Sequence, residues 1–393
     1  MNGNESVTLE VEIERVLPGG LGLAHAEGRT IFVSLAAPGD VVKIKIDRLR
    51  GKTAFASIVE ILTASPVRIE PPCPYFGRCG GCDFQHLPYN SQLEFKREII
   101  RDCLYRIARI ENLPHIEVIA SPKQWQYRAR ANWQVDPNGR RIGYFERGTH
   151  QICDIADCAV LIPELQESLK KVRSLLPDQI PGNLHEIEAV AGDDGLSLAP
   201  ALAGYDSQDV TRRIAGEDYR FSANSFFQIN HELLEQLSDV AVAEANGEAA
   251  VDLYCGVGLF TIPLARRVGQ VTAVEGNGAA AKYARRNVSS AGLQNVSVLT
   301  SRVSRWLLQA AAKGTRTDFV LLDPPRTGAE EGVVEGIVAL QPKSISYVSC
   351  DPATLARDLK RFLSSGYSLT SILAFDLFPQ THHVETVVQL SAS

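Results

Sequence analysis

The sequence predicts an α/β protein. Its carboxy-terminal half reads as a doubly wound domain with a mostly parallel sheet, preceded by a small β-barrel and a central α+β segment. Three observations carry this prediction. From about residue 211, apolar strand-length runs alternate with helical segments. Residues 7–62 are closely spaced short runs with turns between them. After Pro66 the texture changes to proline, glycine and cysteine (PVRIEPPCPYFGRCGGCDFQH). A chain of 393 residues suits two or three such units, divided here as 1–62, 63–210 and 211–393.

Each element has its own signal. Val7–Val16 alternates, Gly19, Gly20 and Gly22 mark a turn, Thr30–Val33 is apolar, and Asp40–Asp47 alternates again. Pro38, Gly39 and Asp40 supply turn chemistry. Strands this close together suit an OB-fold barrel, a common nucleic-acid platform. Ser91–Ile110 has helical spacing through Leu93, Ile99, Ile100, Cys103, Leu104 and Ile107, and a second helix is expected over Pro163–Leu176. The strands expected in the last unit are Ala249–Leu253, Val271–Glu275, Val296–Thr300, Phe319–Asp323, Ser344–Ser349 and Ser368–Phe375. Helices are expected between most of them, including Gly276–Ala291 and Ala353–Leu363.

Composition excludes a membrane span, since no run approaches the ~18 apolar residues a helix needs. No basic patch precedes an apolar stretch at the start, so a cytoplasmic location is expected. Eight cysteines there point to metal binding or catalysis rather than disulfides. The net charge of −6 does not favour nucleic acid, but two local runs do. One is Lys43, Lys45, Arg48, Arg50 and Lys52; the other is Lys123, Arg128, Arg130, Arg140, Arg141 and Arg147.

Three motifs carry chemistry in the last unit. In VDLYCGVGLFTIPLA, residues 251–265, a strand ends at Asp252-Leu253, and Gly256 and Gly258 turn the chain into a helix. The next strand ends in Glu275, where an acid accepts hydrogen bonds from ribose hydroxyls. The loop lacks the third glycine of a dinucleotide site, and Asp252 opposes a pyrophosphate. A cationic, phosphate-free ligand, S-adenosylmethionine, fits better than NAD. In FVLLDPPRTG, a buried strand brings Asp323 to the carboxyl edge of the sheet. Arg326 follows the prolines where amino-group methyltransferases often carry an aromatic, which counts against that class. In YVSCDPATLARDL, Cys350 lies between a strand and a helix start at Asp351-Pro352. A free cysteine is commonly a small buried hydrophobe. Its place beside the cofactor loop argues for a nucleophile, with a thiol pKa lowered by the helix N-terminus. Downstream, Glu385 is available as a general base, with His382 and His383 as alternatives.

These groups fit one reaction. Carbon 5 of uracil does not attack a methyl sulfonium unaided. A thiolate adding to carbon 6 makes carbon 5 nucleophilic, and a base then removes the carbon-5 proton so that the thiolate leaves. The target base has to leave its stack first. In a separate constellation, Cys73, Cys79 and Cys82 share a Gly/Pro-rich loop, with Cys153 or Cys158 as a distant fourth ligand to zinc or an iron–sulfur cluster.

In these motifs the sequence resembles the RNA uridine-5-methyltransferase family, in the branch with an N-terminal TRAM domain, and is most similar to the bacterial 23S rRNA members. PGGLGLAHAEGRTIFV and PGDVVKIKI are similar to TRAM. CGGC, FFQIN, DLYCGVGLFT, DPPR, SCDPATLARDL and HVET follow the family's order. The resemblance implies an OB-fold TRAM domain before a Rossmann-like S-adenosylmethionine-dependent methyltransferase domain. It implies cofactor contacts at Gln228, Tyr254, Glu275 and Asp323, a nucleophile at Cys350 and a base at Glu385. It also implies a [4Fe-4S] cluster on Cys73, Cys79, Cys82 and Cys158, remote from methyl transfer, and a helix at about 90–112 packed on the catalytic domain. The partner it implies is RNA, rRNA first and tRNA as the alternative, with no membrane and a monomeric enzyme. The chain departs from the family at TSRVSRW after the third strand, near Ser301 and Arg302, and at Leu259. A cytosine-5-methyltransferase is disfavoured because no cysteine adjoins the DPP motif. An RNA-binding scaffold with a degenerate fold is disfavoured by intact Cys350, Glu385 and Asp323.

Overall fold

The structure is a computed structural model that describes residues 8–176, 178–202 and 208–393. Its amino-terminal sheet contains β1 (Thr8–Glu12), β2 (Arg15–Leu17), β3 (Leu21–Ala26), β4 (Arg29–Ser34), β5 (Val41–Arg50) and β6 (Thr53–Thr63). The strand order is β1-β5-β6-β4-β3-β2. The alternation in Val42, Ile44 and Ala54, Ala56 turns one face inward, where Val11, Ile13, Ile31 and Val33 close the core. Val7–Val16, expected as one strand, breaks in two. Ile13 donates its amide to Asp40 and Glu14 donates to Leu23, so the chain turns a corner between β1 and β2. The glycines expected only as a turn run straight into β3, with Gly22 inside it. A Cβ there would come within 3.0 Å of Ala36 and Ile13 side-chain atoms, so the strand needs glycine for close packing.

Helix α1 (Tyr89–Cys103), extended by one π turn to Ala108, and β7 (Glu117–Ile119) follow the cysteine loop. Both join the large carboxy-terminal body. Ile100, Cys103, Leu104, Ala108, Ile116 and Val118 share its core, and β7 pairs with a strand near the end of the chain. The central sheet is separate: β8 (Arg130–Asp136), β9 (Arg141–Phe145), β10 (Ile152–Asp154), β11 (Glu186–Gly192) and β12 (Gly195–Ala199). Helix α2 (Pro163–Ser174) packs Leu165, Leu169 and Val172 on Trp133 and Ile187. A hairpin of β13 (Val210–Ile214) and β14 (Glu217–Phe221), then α3 (Leu234–Ala241), leads into the last unit.

That unit alternates β15 (Ala249–Leu253), α4 (Thr261–Ala265), β16 (Gln270–Glu275), α5 (Gly278–Ser290), β17 (Val296–Thr300), α6 (Val303–Ala312), β18 (Phe319–Leu322), α7 (Val333–Ala339), β19 (Ser344–Ser349), α8 (Pro352–Ser364), β20 (Tyr367–Phe375) and β21 (Glu385–Ala392). The sheet order is β17-β16-β15-β18-β19-β21-β20-β7. Strands β15 to β19 run parallel, and β21 inserts antiparallel between β19 and β20. Helices cover both faces, so β18 and β19 are buried throughout; β18 reads as an unbroken apolar run, and β19 interleaves Ser344, Ser346 and Ser349 with Ile345, Tyr347 and Val348. The four parallel strands β16, β15, β18 and β19 are neighbours in the sheet. Their carboxyl ends therefore deliver Glu275, Asp252, Asp323 and Cys350 to one edge. Strand β21, running the other way, delivers its first residue to that edge: Ser349 pairs with Thr386, which sets Glu385 beside Cys350.

Candidate active site

One cleft of about 1640 Å³ runs along this edge and on beneath the central sheet. Gln228, Tyr254, Glu275, Asp323, Cys350 and Glu385 all line it. The loop after β15 is shaped by backbone that side chains rarely adopt: φ is +61° at Tyr254, +56° at Gly256 and +96° at Gly258. Glu275 ties the loop down, accepting the Gly256 amide at 2.8 Å and the Asn277 amide at 2.6 Å. Its remaining lone pairs are open to a ribose. Asp252 accepts the Thr261 hydroxyl at 2.5 Å through Oδ2, while its buried Oδ1 has no partner.

The edge is strongly acidic. Burial, with Glu275 nearby, raises the Asp252 carboxyl to about 7. Burial and Asp252 together raise Asp323 to about 8. Glu385 is almost fully buried, and its Oε1 has no hydrogen-bond partner. Burial and then Asp323 push its carboxyl well above the ordinary range. A row of buried acids that resist ionisation suits a cationic ligand, whose charge repays their desolvation.

Cys350 is in a different state from that expected. Burial first, then Glu385 and Asp323, push the Cys350 thiol up to about 12. The helix N-terminus does not offset this. Asp351 caps α8, its carboxylate accepting the Thr354 amide at 2.8 Å, so the favourable end of the helix dipole is spent on Asp351. Arg326 is the cation that acts in the opposite sense on both Cys350 and Glu385. Sequence reasoning used Arg326 only to disfavour another class; its place directly after the two prolines was the available signal. Phe226 was also overlooked. It projects into the cleft 60% exposed, two residues before Gln228. His383 lines the cleft, but burial first, then the cations His382 and Arg326, lower it to about 3. It is therefore neutral at working pH.

Cys73, Cys79, Cys82 and Cys158 come together around a second, small pocket closed by Tyr75, Phe76 and Val160. Cys153 does not line it; its sulfur accepts the Arg78 Nε–H at 3.2 Å. Among the described residues no three His, Cys, Asp or Glu side chains form a group able to hold a single metal ion. Gly81, Arg128 and Tyr144 line both this pocket and the cleft. The cysteine loop therefore adjoins one end of the cleft, while Cys73, Cys79, Cys82 and Cys158 themselves do not line it.

Most of the second basic run is paired, although Lys123, Arg140 and Arg141 remain exposed. Lys123 pairs with Glu232, Arg130 with Glu188, Arg141 with Asp136 and Arg147 with Asp83. The first run is exposed on β5 and the turn after it, with Arg48 stacked on the Phe55 ring at 4.3 Å.

Comparison with known proteins matches this geometry. The model of the family described as tRNA (uracil-5-)-methyltransferase covers residues 206–393, and the TRAM domain covers 5–59. The 23S rRNA (uracil(1939)-C(5))-methyltransferase RlmD of Pseudomonas entomophila is 33% identical over 421 residues, spanning 97% of this chain and 93% of its own. The chain belongs to the RNA uracil-5-methyltransferase family. An uncharacterised RNA methyltransferase of Gloeobacter violaceus is 32% identical over 98% of this chain and 97% of its own. The solved structure of the Pyrococcus abyssi tRNA (uracil-54, C5)-methyltransferase with S-adenosyl-L-homocysteine superposes with a TM-score of 0.75. It is 26% identical and covers 97% of this chain and all of that one. The protein of this article is thus an RNA (uracil-5-)-methyltransferase that uses S-adenosylmethionine, with a Rossmann-like catalytic domain and a TRAM domain. Among the described residues no helix is long and apolar enough to cross a membrane.

Proposed function

We propose that this enzyme methylates carbon 5 of a uridine in 23S rRNA through a covalent adduct on Cys350. The observation that carries the chemistry is the meeting of Cys350 and Glu385 at the sheet edge that also holds the cofactor loop. The rRNA target rests on full-length similarity to the RlmD proteins. When bound, S-adenosylmethionine supplies an electrophilic methyl group on a cationic sulfonium. Gln228, Tyr254, Glu275 and Asp323 are the residues assigned to hold it. The unpaired Tyr254 hydroxyl, the neighbouring unpaired Asp252 Oδ1 and the open turn at Gly256 fit such a ligand.

The Cys350 sulfur, as thiolate, bonds to carbon 6 of the extruded uracil. Carbon 5 then takes the methyl group. Glu385, as carboxylate, removes the remaining carbon-5 proton, and the carbon 6–sulfur bond breaks to return the thiolate. Arg326 favours the charged forms of both groups. Phe226 offers a ring face for the flipped base to stack on. The exposed cations of β5 capture RNA by its phosphates.

Cys73, Cys79, Cys82 and Cys158 are assigned to an iron–sulfur cluster. Four thiols around one largely apolar pocket are the ligand set of an iron–sulfur cluster. It would staple the cysteine loop to the segment at Cys158. Purified protein should be brown and contain iron; a colourless protein with one zinc would overturn this assignment. The enzyme is proposed to act as a cytoplasmic monomer.

A second reading, a tRNA T-loop target, is favoured by the similarity to the Pyrococcus abyssi enzyme. Mapping 5-methyluridine in rRNA and tRNA from cells lacking the protein separates the two. Loss confined to 23S rRNA supports the first reading, and loss confined to tRNA replaces it.

A further inference from the structure

Glu385 follows a loop, residues 376–384, that buries Leu377 and Val384 in the core of the large sheet. The cysteine loop and α1 hold many of its polar groups. Lys96 of α1, with no exposed surface, donates to Asp376 Oδ1 at 2.5 Å and to the Phe378 carbonyl at 3.0 Å. Gln92 and Gln380 hydrogen-bond reciprocally, at 2.9 and 3.0 Å. The Gln380 carbonyl accepts the amides of Asp83 and Phe84. Finally Asp83, the residue after Cys82, meets His382 Nδ1 at 2.6 Å through Oδ2. Its Oδ1 accepts Arg147 at 2.8 Å, and Arg147 also donates to the Cys82 carbonyl at 2.5 Å. The His382 ring stacks on His383 at 4.1 Å, and His383 enters the cleft two residues before Glu385. On its far side, His382 presses on the TRAM turn: a Cβ at Gly20 would lie 3.0 Å from the His382 Cβ.

We infer that Asp83 and His382 form a strut through which the cysteine loop positions the general base Glu385. Neither residue touches the reacting atoms; both act through the 376–384 loop and are positioning residues. The pair is better suited to this than Lys96–Asp376, whose full burial makes it part of the fold, so that removing one partner strands a buried charge. Asp83 and His382 keep 12% and 24% of their side chains exposed, so altering them shifts the loop without opening a core. The cysteine loop thereby gains a mechanical route to catalysis without approaching the methyl group.

The inference rests on the covalent reading above, and one experiment separates the two. Full-length protein and an unmodified 23S rRNA transcript are compared for Asp83→Ala, His382→Phe and Glu385→Gln. The readouts are kcat, KM for RNA, and the denaturant-stable protein–RNA adduct. Glu385→Gln should trap the methylated adduct, because the carbon-5 proton stays in place. His382→Phe keeps the ring stack but loses the hydrogen bond. It should lower kcat by about a hundredfold, as a misplacement near 1 Å does, leave KM within about threefold, and trap the same adduct. Asp83→Ala should do likewise, and the double variant should be no worse than either single one. A strut variant that turns over normally, or slows without trapping adduct while Glu385→Gln traps it, overturns the inference. If Glu385→Gln itself traps none, the covalent reading fails instead. Should Asp83→Ala not fold, His382→Phe decides alone.

Discussion

The carboxyl edge of the large sheet and the outer face of β5 carry charge of opposite sign under opposite exposure. At the sheet edge, Asp252, Asp323 and Glu385 are buried together and each resists ionisation. On β5 and its turn, Lys43, Lys45, Arg50 and Lys52 are exposed, and among the described residues they enter no ion pair. Buried charge acts at short range and strongly; exposed charge acts over about a Debye length and yields to salt. On the proposed reading the two regions divide the work, one for chemistry and the other for capture. The central basic run belongs with neither, because most of its members are held in ion pairs with acids of the fold.

This division breaks most sharply at Cys350. Cys350→Ala should remove at least about 10⁴-fold of turnover, the scale of losing a covalent nucleophile, while RNA affinity by filter binding stays within about threefold. Residual methylation would sink the covalent mechanism. Glu385→Gln should cost about 10² to 10⁴ in kcat, the range of a general base, again with affinity preserved. The reverse pattern is expected on β5. Replacing Lys43, Lys45, Arg50 and Lys52 by Gln should weaken RNA binding about ten- to hundredfold near 0.15 M salt and flatten the log–log salt dependence by about three to four. In that variant kcat at saturating RNA should hold. An unchanged salt slope would move RNA capture elsewhere.

A smaller effect is expected from pH. Burial raises Asp252 and Asp323 to about 7 and 8, so both hold protons that their unfolded counterparts release near 4. Their contribution to stability is full below pH 4 and falls as pH rises towards 8. A ligand with net positive charge favours the ionised acids. S-adenosylmethionine should therefore bind more tightly as pH rises from 6 to 8.5, by up to about tenfold. The neutral product S-adenosylhomocysteine should change little, and calorimetry of both ligands tests the difference. Smallest of all, Lys123→Ala and Arg141→Ala should alter RNA affinity by less than about twofold, since exposed ion pairs contribute little.

The doubly wound unit was legible because strand-length, mostly apolar runs alternate with helical segments, even at β17, whose side chains are half-buried or exposed. Ala249–Leu253, Val296–Thr300 and Ser344–Ser349 appear at the expected limits. Residues that meet at a strand end were legible for the same reason, since strand ends converge on one edge. Two things were hidden. The thiol's state depended on Asp351 capping α8 and on acids brought in by β18 and β21, none of which spacing reveals. The availability of each cation depended on distant partners such as Glu188 and Glu232. A run of like charges records composition, and only the fold decides which members face solvent.

One consequence follows from β7. This strand, Glu117–Ile119, closes the large sheet by pairing with Leu373–Phe375. On the ribosome it emerges roughly 250 residues ahead of its neighbour, tens of seconds earlier at ordinary synthesis rates. The barrel and the central sheet can form in the meantime, but α1 and β7 wait with apolar surface uncovered. The methyltransferase body is thus the last part to become whole, and its closure over so long a loop carries a large ordering cost. Emergence of β20 and β21, and not completion of any earlier segment, is the event that assembles the enzyme.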